Sequence, residues 1–227
     1  MSVSSRGAIQ PVTIGDFGVA AERLAELGRV LYARGWLSAT SGNLSVVVSR
    51  EPLQLAITAS GFHKGRLTSD QFVLLGAGGE VYAGSGSPSA EWRLHVALVE
   101  ATGAAAVLHT HSLWSTTLSH LHFQDGGVAI SGYEMLKALA GVSSHEHREW
   151  LPIVDNSQNM AALEHAIADV LRRDAGVHGI LIRGHGLYTW GCDLEEANRH
   201  LEALEFLLEV TGTVALAEAW QKPELET

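Results

Sequence analysis

The chain has 227 residues, 46% hydrophobic and 18% charged, enough apolar content for one substantial core and too much for a largely disordered protein. Its formal net charge of −10 argues against a general nucleic-acid binder, because phosphate backbones select clustered Lys and Arg. A phosphorylated small molecule needs only a local pocket of donors and stays open. Cys192 is the single cysteine, so an internal disulfide is excluded and a reducing compartment fits. The start, MSVSSRGAIQPVT, has no signal-peptide core, and no apolar run approaches the roughly 18 residues of a membrane span. The expectation is a soluble cytoplasmic protein with no membrane partner.

Phe17, Ala20, Leu24, Leu27 and Leu31 recur at helical spacing and Gly35 closes that helix. Ser38 to Asn43 is small and polar and reads as a loop. Leu44–Ser49 and Leu53–Thr58 are apolar or β-branched strands around a turn at Arg50-Glu51-Pro52. The glycine-rich stretch Gly76–Gly86 predicts a hairpin and loop around a short strand, Glu80-Val81-Tyr82. Pro88 opens a helix over about Ala90–Thr102, with Trp92, Val96 and Val99 on one face. Ala104–Leu108 is a buried strand running into His109-Thr110-His111, followed by a helix over Ser112–His120 and a strand at Val128–Ile130. Tyr133–Ala140 reads as helical, His145–Glu149 as a charged loop, Leu151–Val154 as a strand and Met160–Arg172 as a helix. His178–Ile182 and Leu187–Trp190 are strands flanking Arg183-Gly184-His185-Gly186. Asp193 then caps a long helix with Ala197, Leu201, Leu204 and Leu208 inward. Interleaved strands and helices without a repeat or linker predict one α/β domain over residues 1–227, a central sheet covered by helices. Roughly 12 residues at each end are expected to be flexible, with fraying after about Ala215.

His109 and His111 share one strand face, so both imidazoles can converge on one ion; two half-buried histidines that happen to alternate would look the same. His185 follows a strand between Gly184 and Gly186, which free the backbone to present a side chain at close range, or serve turn geometry alone. Three neutral imidazoles with an open position are the pattern of a catalytic metal site, and suit zinc, with iron, manganese or cobalt as alternatives. Three loops are candidate anion cradles: Ser41-Gly42-Asn43, Ala59-Ser60-Gly61 and Ser87-Pro88-Ser89, with Ser89 at a helix N-terminus. Each alone also reads as an ordinary turn, and Lys64 as either an added positive charge or a solvated surface lysine. Glu91 and Glu134 are carboxylates that either complement helix N-termini or do chemistry. Trp92, Trp190, Met135 and the leucines of the last helix read as core, and Cys192 as structural.

Together these residues resemble the class II aldolase/adducin family from about Ala21 to Val210. The matching pieces, in order, are SATSGNLS, ITASGFHKG, PSAEWRLH, VLHTHS and RGHGLYTWG. ASGFHKGRLTSDQFV, GYEMLKAL, PIVDNSQNM and EEANRHLEALEFL tilt the resemblance toward the branch that dehydrates a methylthio-pentulose 1-phosphate. The resemblance implies a mainly antiparallel central sheet covered by helices, and a catalytic divalent metal, usually zinc, on His109, His111 and His185. It implies Gly42, Asn43, Ser60, Gly61 and Ser89 around a substrate phosphate, with Lys64 close by. It matches Glu91 to a proton-transfer group near the metal and Glu134 to the acid/base of the dehydratases. Ala90 stands where the family has a second phosphate-region serine. A phosphorylated ketose as substrate and a homo-oligomer, commonly a tetramer with sites near subunit boundaries, are implied too. Phe62 or Trp114 is a candidate apolar wall for a methylthio tail. The rival readings are a fuculose- or rhamnulose-phosphate aldolase or a pentulose-phosphate 4-epimerase on the same site, a non-catalytic adducin-like interaction module, and a plain zinc hydrolase. No HExxH-type helix supports the last.

Overall fold

A computed structural model describes residues 17–221. The expectations for the first dozen residues lie outside that range, as do those for Lys222 onward. Helix α1 covers Phe17–Ala33, and strands β1 (Asn43–Arg50), β2 (Leu53–Thr58), β3 (Phe72–Gly76) and β4 (Val81–Gly84) follow. Next come α2 (Trp92–Thr102), β5 (Ala106–Thr110), α3 (Leu113–Leu121), β6 (Gly127–Ile130), β7 (Glu149–Val154) and α4 (Met160–Arg173). Strands β8 (Gly179–Ile182) and β9 (Gly186–Gly191) lead into α5 (Leu194–Gln221). The nine strands form one sheet in the order β4-β3-β2-β1-β5-β9-β8-β7-β6. Only the β7–β8 pair is parallel; every other pairing is antiparallel, as the resemblance implied.

The helices cover both faces. One apolar cluster joins α1, α3 and α5 to Leu44, Ala106, Leu108 and Leu187. A second, on the opposite face, joins α2 and α4 to Val47, Val107, Ile180 and Tyr188. Alternation along β5 therefore sends Ala106 and Leu108 to one layer and Val107 to the other. Among the described residues no helix is long and apolar enough to cross a membrane.

Several elements differ from the sequence reading. Strand β3 has no alternating pattern to reveal it, since all five residues of FVLLG are buried and a strand covered on both faces shows no period. The helix expected over Tyr133–Ala140 is a 3-10 turn, Glu134–Ala138, and Met135, read as core, is 37% exposed. Leu216 on α5 is likewise exposed, whereas Leu194, Leu201, Leu204, Leu207 and Leu208 are buried. Glu149, read as the end of a charged loop, opens β7 and is buried. Helix α5 continues to Gln221, past the expected fraying point; Ala, Leu, Glu and Gln in its last two turns have high helix propensity.

Candidate active site and metal centre

The site is built by register across the middle of the sheet. Asn43 on β1 lies opposite His109 on β5, and His109 lies opposite Tyr188 on β9. All three belong to the face that carries α2. The two-residue period adds His111 to that face and turns Thr110 the other way, where its hydroxyl donates to Glu205 on α5 at 2.7 Å. His185 arrives from the β8–β9 turn, its N–H donating to Ile182 O at 3.0 Å. Gly186 is required there, because a Cβ would stand 1.9 Å from the Thr110 carbonyl oxygen.

The three imidazoles meet through Nε2: 2.8 Å between His109 and His111, 3.3 Å between His109 and His185, and 3.2 Å between His111 and His185. Glu91, the N-cap residue of α2, completes the group, with Oε2 at 3.4 Å from His109 Nε2 and Oε1 at 3.4 Å from His185 Nε2. All four ligand atoms lie within 4.8 Å of one another. His109 Nδ1 faces the Leu187 carbonyl at 3.0 Å, so the proton of its neutral ring belongs on Nδ1 and its Nε2 offers a lone pair toward the centre. Burial, then the charges of His111 and His185, hold His109 well below the usual imidazole range. His111 is lowered to about 4 by burial, His185 and Lys64. Three converging imidazoles beside one carboxylate are the donor set that a divalent ion such as zinc takes, so these residues fit a metal. Tyr188 stacks on His109 with ring centroids 3.9 Å apart and holds its orientation.

Beside this group opens a cleft of about 320 Å³, lined by Gly42, Asn43, Ser60, Gly61, Lys64, Ser89, Glu91, His111 and His185 together with Asn156–Gln158 and Met160. Two of the candidate anion loops are zipped together: Ala59 bridges Pro88, Ser60 N–H donates to Ser87 O at 2.8 Å, and Ser89 N–H donates to Thr58 O at 3.1 Å. Gly42 has φ +72°, and a Cβ there would meet Leu37 and the His109 carbonyl, so only glycine lets this loop lie against β5. Lys64 is buried, not a solvated surface residue. Its ammonium donates to Thr40 O at 2.9 Å and Phe62 O at 3.2 Å, and burial lowers its pKa to about 8. A cation buried beside Ser- and Gly-rich loops is suited to an anion.

Glu134 is elsewhere. Its side chain is 71% exposed, paired with Lys137 and lying 3.4 Å from His145, and it does not line this cleft. The hydrogen bond from Lys137 holds its carboxyl below the usual range. Phe62 and Trp114 do not line the cleft either; Trp114 covers Gly212 on α5, and Met160 is the large apolar side chain that does. The exposed Cys192 thiol is pushed up to about 11 by its hydrogen bond with Glu196, which keeps it unreactive. Sequence reasoning missed His95, Tyr188 and the Asn156–Met160 segment. His95 stands four residues after Glu91, one helical turn, a spacing that was available to find it.

A metal-suited group at the ends of central strands faces a cleft with Ser- and Gly-built loops, and the chain belongs to the class II aldolase/adducin family: residues 22–211 match its Class II Aldolase and Adducin N-terminal domain. The chain is similar to the methylthioribulose-1-phosphate dehydratase of Methylococcus capsulatus, 43% identical over 196 residues, 86% of this chain and 94% of the relative. The enzyme of the same name from Alcanivorax borkumensis is 42% identical over 202 residues, 88% and 94% of the two chains. Among solved structures, the L-fuculose-1-phosphate aldolase from Thermus thermophilus aligns with a TM-score of 0.70 over 90% of this chain and 98% of that one. At 24% identity that likeness concerns the fold.

Proposed function

We propose that this chain is a lyase that dehydrates 5-methylthioribulose 1-phosphate to 2,3-diketo-5-methylthiopentyl 1-phosphate in methionine salvage, with zinc on His109, His111 and His185. The observation that carries the reading is the meeting of three imidazole Nε2 atoms and Glu91 on the wall of an anion-suited cleft. The 43% identity to a dehydratase over 94% of its length supports the substrate. A divalent ion held there supplies Lewis acidity that polarises carbonyl and hydroxyl oxygens of the substrate. Ser60, Gly61, Ser89 and the Lys64 ammonium hold the phosphate, with Gly42 and Asn43 closing that side. Recognition is local, because a chain with net charge −10 does not draw an anion from a distance.

Dehydration requires a base for the C3 proton and an acid for the departing C4 hydroxyl, each within hydrogen-bond reach. In our reading Glu134 takes the proton from C3 and returns it to the hydroxyl, which leaves as water; the resulting enol becomes the diketone. Glu91 stays at the histidines as partner. Because Glu134 is exposed and does not line the cleft of its own chain, it serves a neighbouring copy across a subunit boundary in a homo-oligomer, which we take to be a tetramer. Exposed Leu113, Leu121 and Met135 supply apolar surface for such a boundary. A reducing, cytoplasmic setting accords with the free Cys192 thiol.

Aldol cleavage is the second reading, favoured by one observation: the carboxylate at the histidines is Glu91, not Glu134. Zinc-loaded protein incubated with methylthioribulose 1-phosphate and, separately, with fuculose 1-phosphate separates the two. Diketone from the methylthio substrate alone is expected; release of dihydroxyacetone phosphate would transfer the reaction to cleavage. Glu134→Gln is expected to lower turnover roughly 10²-fold or more with zinc retained, and near-normal turnover would remove Glu134 from the mechanism.

A further inference from the structure

We infer that His95 is a positioning residue: through Asn43 it fixes the orientation of the Glu91 carboxylate beside the three histidines. The inference rests on the reading of Glu91 as the carboxylate that serves the reaction.

Asn43 and Ser45 are two apart on β1 and face α2, where His95 sits one turn beyond Glu91. Asn43 Nδ2 donates to Glu91 Oε2 at 2.7 Å and to Ser89 Oγ at 2.9 Å. His95 Nε2 contacts Asn43 Oδ1, and His95 Nδ1 is 2.7 Å from Ser45 Oγ. Every donor in this row follows from its end. A carboxylate only accepts, so the atom facing it is the Asn43 NH2 group and Oδ1 must face His95. Nε2 of His95 therefore carries the proton, Nδ1 is bare, and the Ser45 hydroxyl donates to it.

Nothing in the row is free to turn. Ser45 and His95 are fully buried and Asn43 is 3% exposed. The Tyr188 ring stands edge-on to His95 with centroids 5.8 Å apart while stacking on His109. Burial holds His95 down to about 3, so the ring stays neutral and keeps one N–H. A flipped Asn43 amide would set Oδ1 against the Glu91 oxygen and its NH2 against the His95 N–H, two repulsive contacts between largely buried groups. The His95 N–H thus selects the one Asn43 orientation that presents a donor to Glu91 Oε2. That leaves Oε1 toward His185.

Two conservative variants separate positioning from core filling. In His95→Gln the amide nitrogen reaches where Nε2 stands and can still donate to Asn43. In His95→Asn the amide reaches only the Nδ1 position and keeps Ser45 but loses Asn43. We expect His95→Gln to hold kcat within about threefold. His95→Asn should lower it roughly 10- to 100-fold, as loss of an outer-shell partner does, with KM and zinc content little changed. The second readout needs no turnover: hydrogen exchange of the Asn43 side-chain amide in 15N-labelled protein, slow in wild type and His95→Gln and fast in His95→Asn. Equal effects of the two variants on kcat, or an Asn43 amide indifferent to His95→Asn, would overturn the inference. If the methylthio substrate proves not to be turned over, the proposed function fails while the amide measurement still decides the role of His95. Should His95→Asn not fold, His95→Phe keeps a buried ring and removes the N–H that Asn43 Oδ1 accepts. Faster Asn43 exchange is then expected, and unchanged exchange counts against us.

Discussion

Two histidine-rich clusters stand at opposite ends of β8, and they use the same side chain in contrasting ways. Beyond its C-terminal end His185 joins His109 and His111, with three ring nitrogens aimed at one point. Before its N-terminal end His178 and His147 surround the buried Glu149, at 3.1 and 2.9 Å, and His178 Nε2 reaches the Ala140 carbonyl at 2.9 Å. His200, whose ring meets that of His178 edge-on, contacts the Trp190 carbonyl through Nδ1 and accepts from Ala140 N–H through Nε2. In the second cluster both ring nitrogens of His178 and of His200 are matched within the protein. In the first, three Nε2 atoms face one another and Glu91. A count of histidines does not separate these two ends; the partner of each ring nitrogen does.

Substitutions at the two ends should therefore have separable consequences. The largest is at the metal end: His111→Ala removes one of three imidazoles, and zinc content per chain should fall to near zero with turnover down roughly 10³-fold or more. Thermal unfolding of the metal-free protein should barely change. Retained zinc would mean that Glu91 and two histidines suffice.

At the other end the effect is on folding. Glu149→Ala leaves His178 and His147 facing a cavity, and should cost roughly 3 kcal/mol in denaturant unfolding with zinc content intact. The pair also sets a pH window. Burial alone would raise Glu149, but its hydrogen bonds from His178 and His147 hold it below the usual carboxylate range. Its contribution is full above the unfolded value and lost as pH falls through the folded one. Burial alone would lower His178, but Glu149 raises it, so its contribution is full below the unfolded value and lost as pH rises through the folded one. The difference in stability between wild type and Glu149→Ala should therefore peak between about pH 4.5 and 6.5 and narrow on either side. A difference independent of pH would dissolve the contrast.

The smallest effect comes from Glu205, behind the metal strand, where burial pushes its carboxyl up to about 7 against the opposing hydrogen bond from Thr110. A raised acid stabilises the fold below its unfolded pKa and loses that contribution as pH rises through 7. Glu205→Gln keeps an acceptor for Thr110 without the buried charge. It should raise stability at pH 8.5 by on the order of 2 kcal/mol and leave it nearly unchanged at pH 5, a crossover that two melting curves would test.

Local chemistry in the sequence was enough for the helices with a 3.6-residue stripe, for the strands with turn residues at both ends, and for singling out His109, His111 and His185, which the fold brings together. His109 and His111 share a face because a strand has a period of two, and Gly184 and Gly186 mark a turn; both facts need only neighbours in the chain. The loops that line the cleft were legible for the same reason. What decided the rest was contact between distant segments. FVLLG showed no period because both its faces are covered. Lys64 read as either a site cation or a surface lysine until the Thr40 loop closed over it. Glu134 sits in a matching segment, yet the 3-10 turn that carries it keeps it outside the cleft of its own chain. His95 has its role only because β1, β5 and β9 are neighbours in the sheet, which brings Asn43, His109 and Tyr188 side by side beneath α2. Periodicity and turn chemistry are properties of a few consecutive residues and survive in the linear text. The pairing order of strands, and the hydrogen-bond partner of each buried polar atom, exist only once the chain has packed.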